Sequence, residues 1–427
     1  MKLAIISDTH FGDNTGTLVD NVNGRYQRSA KYHKFAEAAG QNNDFLVLSG
    51  DILDFSIRDY AAVYNEARAF FQFVQRDKIA RAVIYVPGNH DFGMWNTVEH
   101  QIRIIYPISK GCPARNFRWS APGLVDDRTE KGDRRGFYLP NVLKGVIDPD
   151  AEPHVKMFLN SLTKNEDGSG EETRFYFAYP NLYIVTDKES VLVTHGHYLE
   201  PFWTLAGEWV MKIAREDLKI GNAFDLWEMV AVNQPLCQLA CTGIGQAGPL
   251  TGLVQKIQLQ IKRRELRDVN KYLNRLDNEL DRMLDYKFLD PREWLSDTCL
   301  NNLKKQAIKE LEDYRDTRYS EEFIHKKEVL DRFRNFYDAG RVEIDTLNES
   351  YGLDIPRPRK IIFGHTHCPI PWGSPNALKA RVSGGEHVTL YNTGGWLMRK
   401  TDASEEFCGA EVFTYDSKRG FSSTGVT

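Results

Sequence analysis

The stretch Leu3-Ala4-Ile5-Ile6-Ser7-Asp8-Thr9-His10 decides the fold of this chain. Its apolar first half predicts a strand buried on both faces, and such strands are typical of parallel sheets. The strand ends at Asp8 and His10, and side chains two positions apart in an extended chain point to the same side. A carboxylate and an imidazole at the end of a buried strand indicate a site at the carboxyl edge of an α/β sheet.

The same pattern recurs twice along the chain. Two later segments read FLVLSGDILD at residues 45–54 and VIYVPGNHD at residues 83–91. Residues 26–39 and 60–74, which lie between the apolar runs, have helical spacing with polar faces. The order strand, helix, strand, helix, strand predicts parallel strands joined by right-handed crossovers.

Closely spaced strand patterns follow from residue 174. They cover residues 174–179 and 182–186 and the segment VLVTHGH at 191–197, and they predict a sheet that continues through hairpins. A last segment of this kind reads KIIFGHTH at 360–367. Each motif alone would be explained as a turn, because Asp and Gly favour turns. Five polar segments that each end a strand favour one shared centre.

Residues 200–358 read as helices rather than strands. Apolar residues recur at helical spacing between Leu253 and Leu284. Basic and acidic residues are evenly mixed, which disfavours a nucleic-acid groove, although residues 256–267 hold a local basic excess that could contact anionic lipid or phosphate. We therefore predict a core formed by residues 1–199 and 359–427, with 200–358 as an inserted helical cap.

Composition limits the class of protein. The chain has 427 residues, a formal net charge of -4, and six cysteines without a CxxC pair. This charge argues against a globally cationic nucleic-acid binder, and sparse cysteines suit a reducing compartment, so we expect a cytoplasmic protein. The apolar run after Lys2 is too short for an export signal, and residues 235–259 are too polar for a membrane span.

In order, the polar segments read D-x-H, G-D-x-x-D, G-N-H-D, H-G-H and G-H-x-H. This series resembles the calcineurin-like metallophosphoesterases over the whole chain except the insertion. The resemblance implies a four-layer α/β/β/α sandwich with a large inserted helical subdomain. A weaker resemblance links residues 391–396, YNTGGW, to the N-T-G-D-W run of bacterial UDP-diacylglucosamine diphosphatases. Gly395 stands where those enzymes have Asp, and His90 where they commonly have Arg.

The resemblance also implies two divalent metal ions about 3.5 to 4 Å apart. The expected ligands of one ion are Asp8, His10 and His367, and those of the other are Asn89, His195 and His365. The Asp51 carboxylate would bridge both ions. Imidazole with carboxylate and amide oxygen favours transition metals over Mg or Ca, with Mn expected first and Fe, Zn, Co or Ni as alternatives.

Catalytic roles follow from the same resemblance. A hydroxide that bridges the metals would attack phosphorus, and Asn89 would help to neutralise the growing charge. His90 would stabilise that charge and protonate the leaving oxygen, with Asp91 orienting its imidazole. Asp54 would orient a metal ligand.

Other residues of the segments are expected to be structural. His197 is expected to make no metal contact, and Cys237 and Cys241 are expected to pack in an apolar interior. The aromatic residues between Tyr198 and Trp209 would form either the core of the insertion or a hydrophobic substrate pocket.

The expected activity is hydrolysis of a phosphoester or phosphoanhydride bond in a small or lipid-linked substrate. A DNA or RNA phosphodiesterase is disfavoured by the mixed charges, and a protein phosphatase by the helical cap. A non-catalytic interaction scaffold is disfavoured by the complete ligand set. Peripheral membrane contact is compatible with the sequence, which does not determine the oligomeric state.

Overall fold

The computed structural model describes residues 1–138, 158–164, 170–204, 207, 226–246, 271, 322–400 and 404–427. The first ten strands are β1 Lys2–Ile6, β2 Val19–Val22, β3 Arg25–Arg28, β4 Asn43–Leu48, β5 Ala80–Tyr85, β6 Gly123–Asp126, β7 Gly136–Tyr138, β8 Arg174–Phe177, β9 Asn181–Val185 and β10 Ser190–Thr194. The later strands are β11 Lys360–Phe363, β12 Leu378–Arg381, β13 His387–Asn392, β14 Met398–Lys400, β15 Glu405–Phe407, β16 Ala410–Asp416 and β17 Gly420–Val426.

The α-helices of the described residues are α1 Ala30–Ala39, α2 Tyr60–Arg76, α3 Phe92–His100, α4 Tyr106–Ser109, α5 Leu226–Gln238 and α6 Lys327–Tyr351. Segment 26–39, predicted as one helix, divides at Ser29. The Ser29 hydroxyl accepts a hydrogen bond from the Tyr32 amide at 2.9 Å and so caps the start of α1. The residues before Ser29 form β3, which pairs with β2. A serine at this position starts a helix by satisfying an amide of the first turn.

Two large sheets carry the strands. The first has the order β17-β16-β1-β4-β5-β8, and β1, β4, β5 and β8 are parallel, as the strand and helix order predicted for its first three members. The second has the order β12-β13-β11-β10-β9-β6-β7. In it β10, β11 and β13 are parallel.

One predicted hairpin is wrong. Residues 174–179 and 182–186 were expected to pair, but β8 lies parallel to β5 in the first sheet while β9 belongs to the second. Phe175 of β8 packs against Phe71 of α2, with ring centroids 5.0 Å apart, and this contact belongs to the outer face of the first sheet. The hairpin between β9 and β10 forms as predicted.

Side chains alternate along each strand, so each sheet has one apolar face that can pack on the other sheet. The two sheets pack face to face in this way. The layer between them contains Leu3, Ile5, Val47, Ile84, Val191, Val193 and Ile362. Ala4 and Ile6 point the other way, into the cluster that includes α1 and α2. On the second sheet α6 packs outside, where the hydroxyl of Tyr183 in β9 donates to the Glu343 carboxylate of α6 at 2.9 Å. The predicted α/β/β/α layering is thereby confirmed.

Within 200–358 the described segments are helical and include α5, α6 and short turns such as Pro201–Thr204. The stripe from Leu253 to Leu284, the basic cluster at 256–267 and Trp209 lie outside the described residues, apart from Lys271. The division into core and cap stays a prediction. Among the helices that the structure describes, none has the length and apolarity to cross a bilayer.

Candidate metal centre

The predicted site residues follow the carboxyl ends of the central strands in both sheets. Parallel neighbours deliver their loops to the same edge, and hydrogen bonds join the loops. The Asp8 amide donates to the Gly50 carbonyl at 3.0 Å. Across the two sheets, the Ser49 hydroxyl donates to the Thr194 carbonyl at 2.9 Å. The loops therefore form one connected rim.

The backbone of this rim is strained. Left-handed φ angles between 45° and 70° occur at five of the seven predicted ligands: Asp8, His10, Asp51, His365 and His367. Each such residue costs about 1 to 2 kcal/mol relative to the right-handed region. Residues of this kind persist where the surrounding structure holds them, and they concentrate at functional sites.

Two glycines allow the rim to close. A Cβ added at Gly50, whose φ is +85°, would lie 2.5 Å from Cγ of His195. A Cβ added at Gly395 would lie 2.7 Å from Cγ of His367. Both contacts are shorter than any side chain tolerates, so these positions need glycine. Gly395 is the departure from the N-T-G-D-W pattern, and an aspartate there would displace His367.

The first group contains Asp8, His10 and His367, all buried. Nε2 of His367 lies 3.2 Å from Oδ1 of Asp8 and 3.3 Å from Nε2 of His10, and the third side of this triangle is 3.9 Å. Atoms bound to one cation at about 2.0 to 2.2 Å lie roughly 3 Å or more apart. The triangle has the size that a shared cation requires.

The second group contains Asp51, His195 and His365, also buried. Nε2 of His195 lies 3.1 Å from Oδ2 of Asp51 and 3.0 Å from Oδ1 of Asn89. The same Asp51 oxygen lies 3.7 Å from Nε2 of His10 in the first group. One carboxylate thus stands between the two groups, and the donor set suits a pair of transition-metal cations.

The charges of the buried side chains favour the binding of cations at this centre. Burial opposes ionisation of Asp51, but the neighbouring His195, His90 and His10 outweigh it and hold the pKa of Asp51 well below its usual value. Burial likewise opposes protonation of His195, yet the Asp51 carboxylate raises the pKa of His195 to about 9. Ionised carboxylates in a dry site attract positive charge strongly, and divalent cations would displace these protons.

His90 sits at the open side of the centre. Its side chain is 19% exposed, whereas those of Asp51 and His195 are 2% and 1% exposed. Nδ1 of His90 lies 2.8 Å from Oγ of Ser56 and 3.1 Å from Oδ1 of Asp54. The imidazole is therefore fixed by these two side chains while part of it faces solvent.

The structure corrects the role predicted for Asp91. Its carboxylate accepts the amides of Ile52 and Gly88 at 2.8 and 2.6 Å and the Tyr85 hydroxyl at 2.5 Å, so it fastens two loops instead of orienting His90. The orienting contacts belong to Asp54 and Ser56. Asp54 also lies 2.8 Å from Nδ1 of His10, the kind of contact expected of a residue that orients a metal ligand.

Sequence reasoning missed Glu200. Its Oε2 lies 2.8 Å from Nε2 of His365 and accepts Nε1–H of Trp203 at 3.0 Å. The Trp203 ring in turn lies 6.0 Å from that of His90. Glu200 is 4% exposed, and a carboxylate is seldom buried without a partner. No sequence motif marks it; its closeness to His195 along the chain was the only available signal.

Three residues that were expected to be structural, His197, Cys237 and Cys241, are buried. His197 is fully buried, its ring lies 3.9 Å from that of Tyr198 with the two planes tilted by 37°, and it belongs to none of the side-chain groups that could hold a metal. Cys237 and Cys241 are buried, as expected. The Cys241 thiol donates to the backbone carbonyls of Asn89 and His90 at 3.3 and 3.2 Å, so it supports the loop that carries His90.

Replacing Glu200 by glutamine should weaken one of the two metal sites. Partners of metal-bound imidazoles typically change metal affinity by roughly 10 to 100-fold, and the glutamine keeps the size of Glu200 without its charge. We expect a loss of this size at one site in a titration of metal-free protein with Mn²⁺ followed by calorimetry. The exposed Glu37→Gln serves as the control, and unchanged affinity at both sites would contradict this role for Glu200.

The calcineurin-like phosphoesterase family matches residues 1–247, more than half of the chain. The search of curated proteins found no match to this chain. The matched range ends before Gly364–His367, yet the His365 amide donates to the Asp8 carboxylate at 3.0 Å, so the last segment completes the same centre. Family members use dinuclear metal sites, and the two buried ligand groups fit this chemistry. The chain therefore belongs to the calcineurin-like phosphoesterase family and is a metal-dependent phosphoric ester hydrolase.

Proposed function

We propose that the chain is a dinuclear phosphohydrolase that cleaves an ester or anhydride bond in a small or lipid-linked phosphate compound. The observation that carries this proposal is the Asp51 oxygen between His10 and His195, because one carboxylate oxygen facing two ligand groups suits a pair of cations. We further propose Mn as the favoured metal and the cytoplasm as the location.

The proposed ligands are Asp8, His10, Asp51, Asn89, His195, His365 and His367. Bound cations would supply an activated hydroxide and neutralise charge on the phosphoryl oxygens. Nδ2 of Asn89 is buried and has no hydrogen-bond partner among the described residues, so it is available to donate to a phosphoryl oxygen. His90, held by Ser56 and Asp54, would give its proton to the leaving oxygen.

A cavity of about 500 Å³ supports a small substrate. It opens beside His367, and its polar lining includes His325, Asn376, Arg399 and the acidic Glu406. Small-molecule sites usually measure about 300 to 1,000 Å³. Pro369 and Ile370 form part of the apolar wall, so a leaving group with both polar and apolar parts would fit.

A substrate panel tests the proposal. The metal-free protein should be inactive, and Mn²⁺ should restore turnover of chromogenic phosphomonoesters or phosphodiesters, of nucleoside diphosphate compounds, or of a lipid phosphate. Activity confined to DNA, RNA or phosphoproteins would contradict the proposed substrate class. A protein that binds two metals and cleaves no phosphate compound would instead be an interaction scaffold.

A further inference from the structure

The helix that follows the His90 loop does not remain regular. After α3, residues Gln101–Ile105 form a wider π turn, which continues into α4. Such turns insert one extra residue and shift the register of everything beyond them. They are uncommon, because they hydrogen-bond less favourably than α-helix.

The shift turns apolar residues outwards. Val98 and Ile102 are buried four positions apart, so a regular helix would next bury Ile105 or Tyr106. Instead the next buried residue is Pro107, five positions after Ile102, and Ile105 is 62% exposed. The irregular turn therefore removes isoleucine from the core and places it in solvent.

The result is a concentrated apolar patch. Of the nine large apolar side chains exposed among the described residues, four fall within five consecutive positions. They are Ile104 at 39%, Ile105 at 62%, Tyr106 at 39% and Ile108 at 58%. Single exposed apolar residues are ordinary, but clusters of this kind mark surfaces that contact something.

Basic residues lie in the same segment of the chain as the patch. Residues 100–125 contain Arg103, Lys110, Arg115 and Arg118 and not one acidic residue. Arg118 is neutralised by the buried Glu99 at 2.7 Å. Lys110 and Arg115 are exposed, and Nζ of Lys110 lies 5.8 Å from the ring of Tyr106. Cations thus stand directly beside the exposed apolar side chains.

We propose that this patch, residues 103–115, docks the protein on an anionic lipid surface. Isoleucines enter the boundary between headgroups and acyl chains, an aromatic ring lies at headgroup level, and basic side chains pair with lipid phosphates. A second copy of the chain fits less well, because a two-fold interface would place the patch and its positive charges against themselves. The inference does not depend on the proposed substrate.

Vesicle sedimentation with the whole 427-residue chain tests this proposed lipid docking. The protein should bind phosphatidylglycerol vesicles, bind phosphatidylcholine vesicles weakly, and be released by salt. Ile105→Asp with Ile108→Asp, and separately Lys110→Glu with Arg115→Glu, should each lower the partition coefficient by roughly tenfold or more. Val342→Asp, at a valine that is 44% exposed on α6, is the matched control and should bind like the unchanged protein.

Three results would overturn the proposal. They are absence of binding to anionic vesicles, binding that the paired variants leave unchanged, and a dimer in analytical ultracentrifugation that Ile105→Asp with Ile108→Asp dissociates. Turnover of a water-soluble substrate should be the same in all these variants, so a failure here is separable from a failure of the proposed phosphohydrolase activity.

Discussion

Replacement of Asp51 by asparagine should remove both metals and lower turnover by roughly 10³-fold or more, because bound cations supply several kcal/mol of transition-state stabilisation. Oδ2 of Asp51 faces His195 at 3.1 Å and His10 at 3.7 Å, so one change affects both ligand groups. Asparagine keeps the size of the side chain but loses the negative charge that offsets two cations. The readouts are metal content by mass spectrometry and initial rates with Mn²⁺ present.

The fold should survive this change. Asp51 has φ of 53°, and asparagine tolerates the left-handed region better than most residues. Asp20→Asn, at an exposed carboxylate in β2, is the matched control and should keep metal and activity. An Asp51→Asn protein that holds two metals and turns over normally would show that the centre is wrongly assigned. Circular dichroism should show unchanged secondary structure.

Replacement of His90 by alanine should separate turnover from metal binding. The imidazole belongs to the open side of the centre and is held by Ser56 and Asp54. His90 also forms a possible ligand group with His10 and Asp54, separate from the groups built on Asp8 and Asp51. General acid catalysis contributes about 10² to 10⁴-fold to rates, so we expect a loss in that range with both metals retained. The comparison needs kcat and metal content from the same preparation.

The exposed His33→Ala is the control for this second variant. His90→Ala should also be less impaired on a substrate with a good leaving group, which needs little protonation. Full activity on every substrate would remove His90 from the mechanism. Loss of metal together with activity would make it a ligand.

Local features were predictable because they depend on short stretches of chain. Buried runs such as Leu3–Ile6 specify strands by their hydrophobicity, and the order of elements specifies parallel pairing. Polar residues placed directly after those runs must lie at the carboxyl edge of the sheet. Asp8, Asp51 and His195 could therefore be predicted to lie close together without coordinates.

What the sequence determined by itself was the parallel order of β1, β4 and β5 and the polar residues at their carboxyl ends, because hydrophobic patterning and strand order are local signals; the four-layer sandwich was implied by the family resemblance. Only the tertiary structure decided which sheet takes β8, that Asp91 fastens loops, and that Glu200 meets His365 from 165 positions away. These contacts depend on side-chain packing between distant segments. Neither periodicity nor motif spacing records such packing.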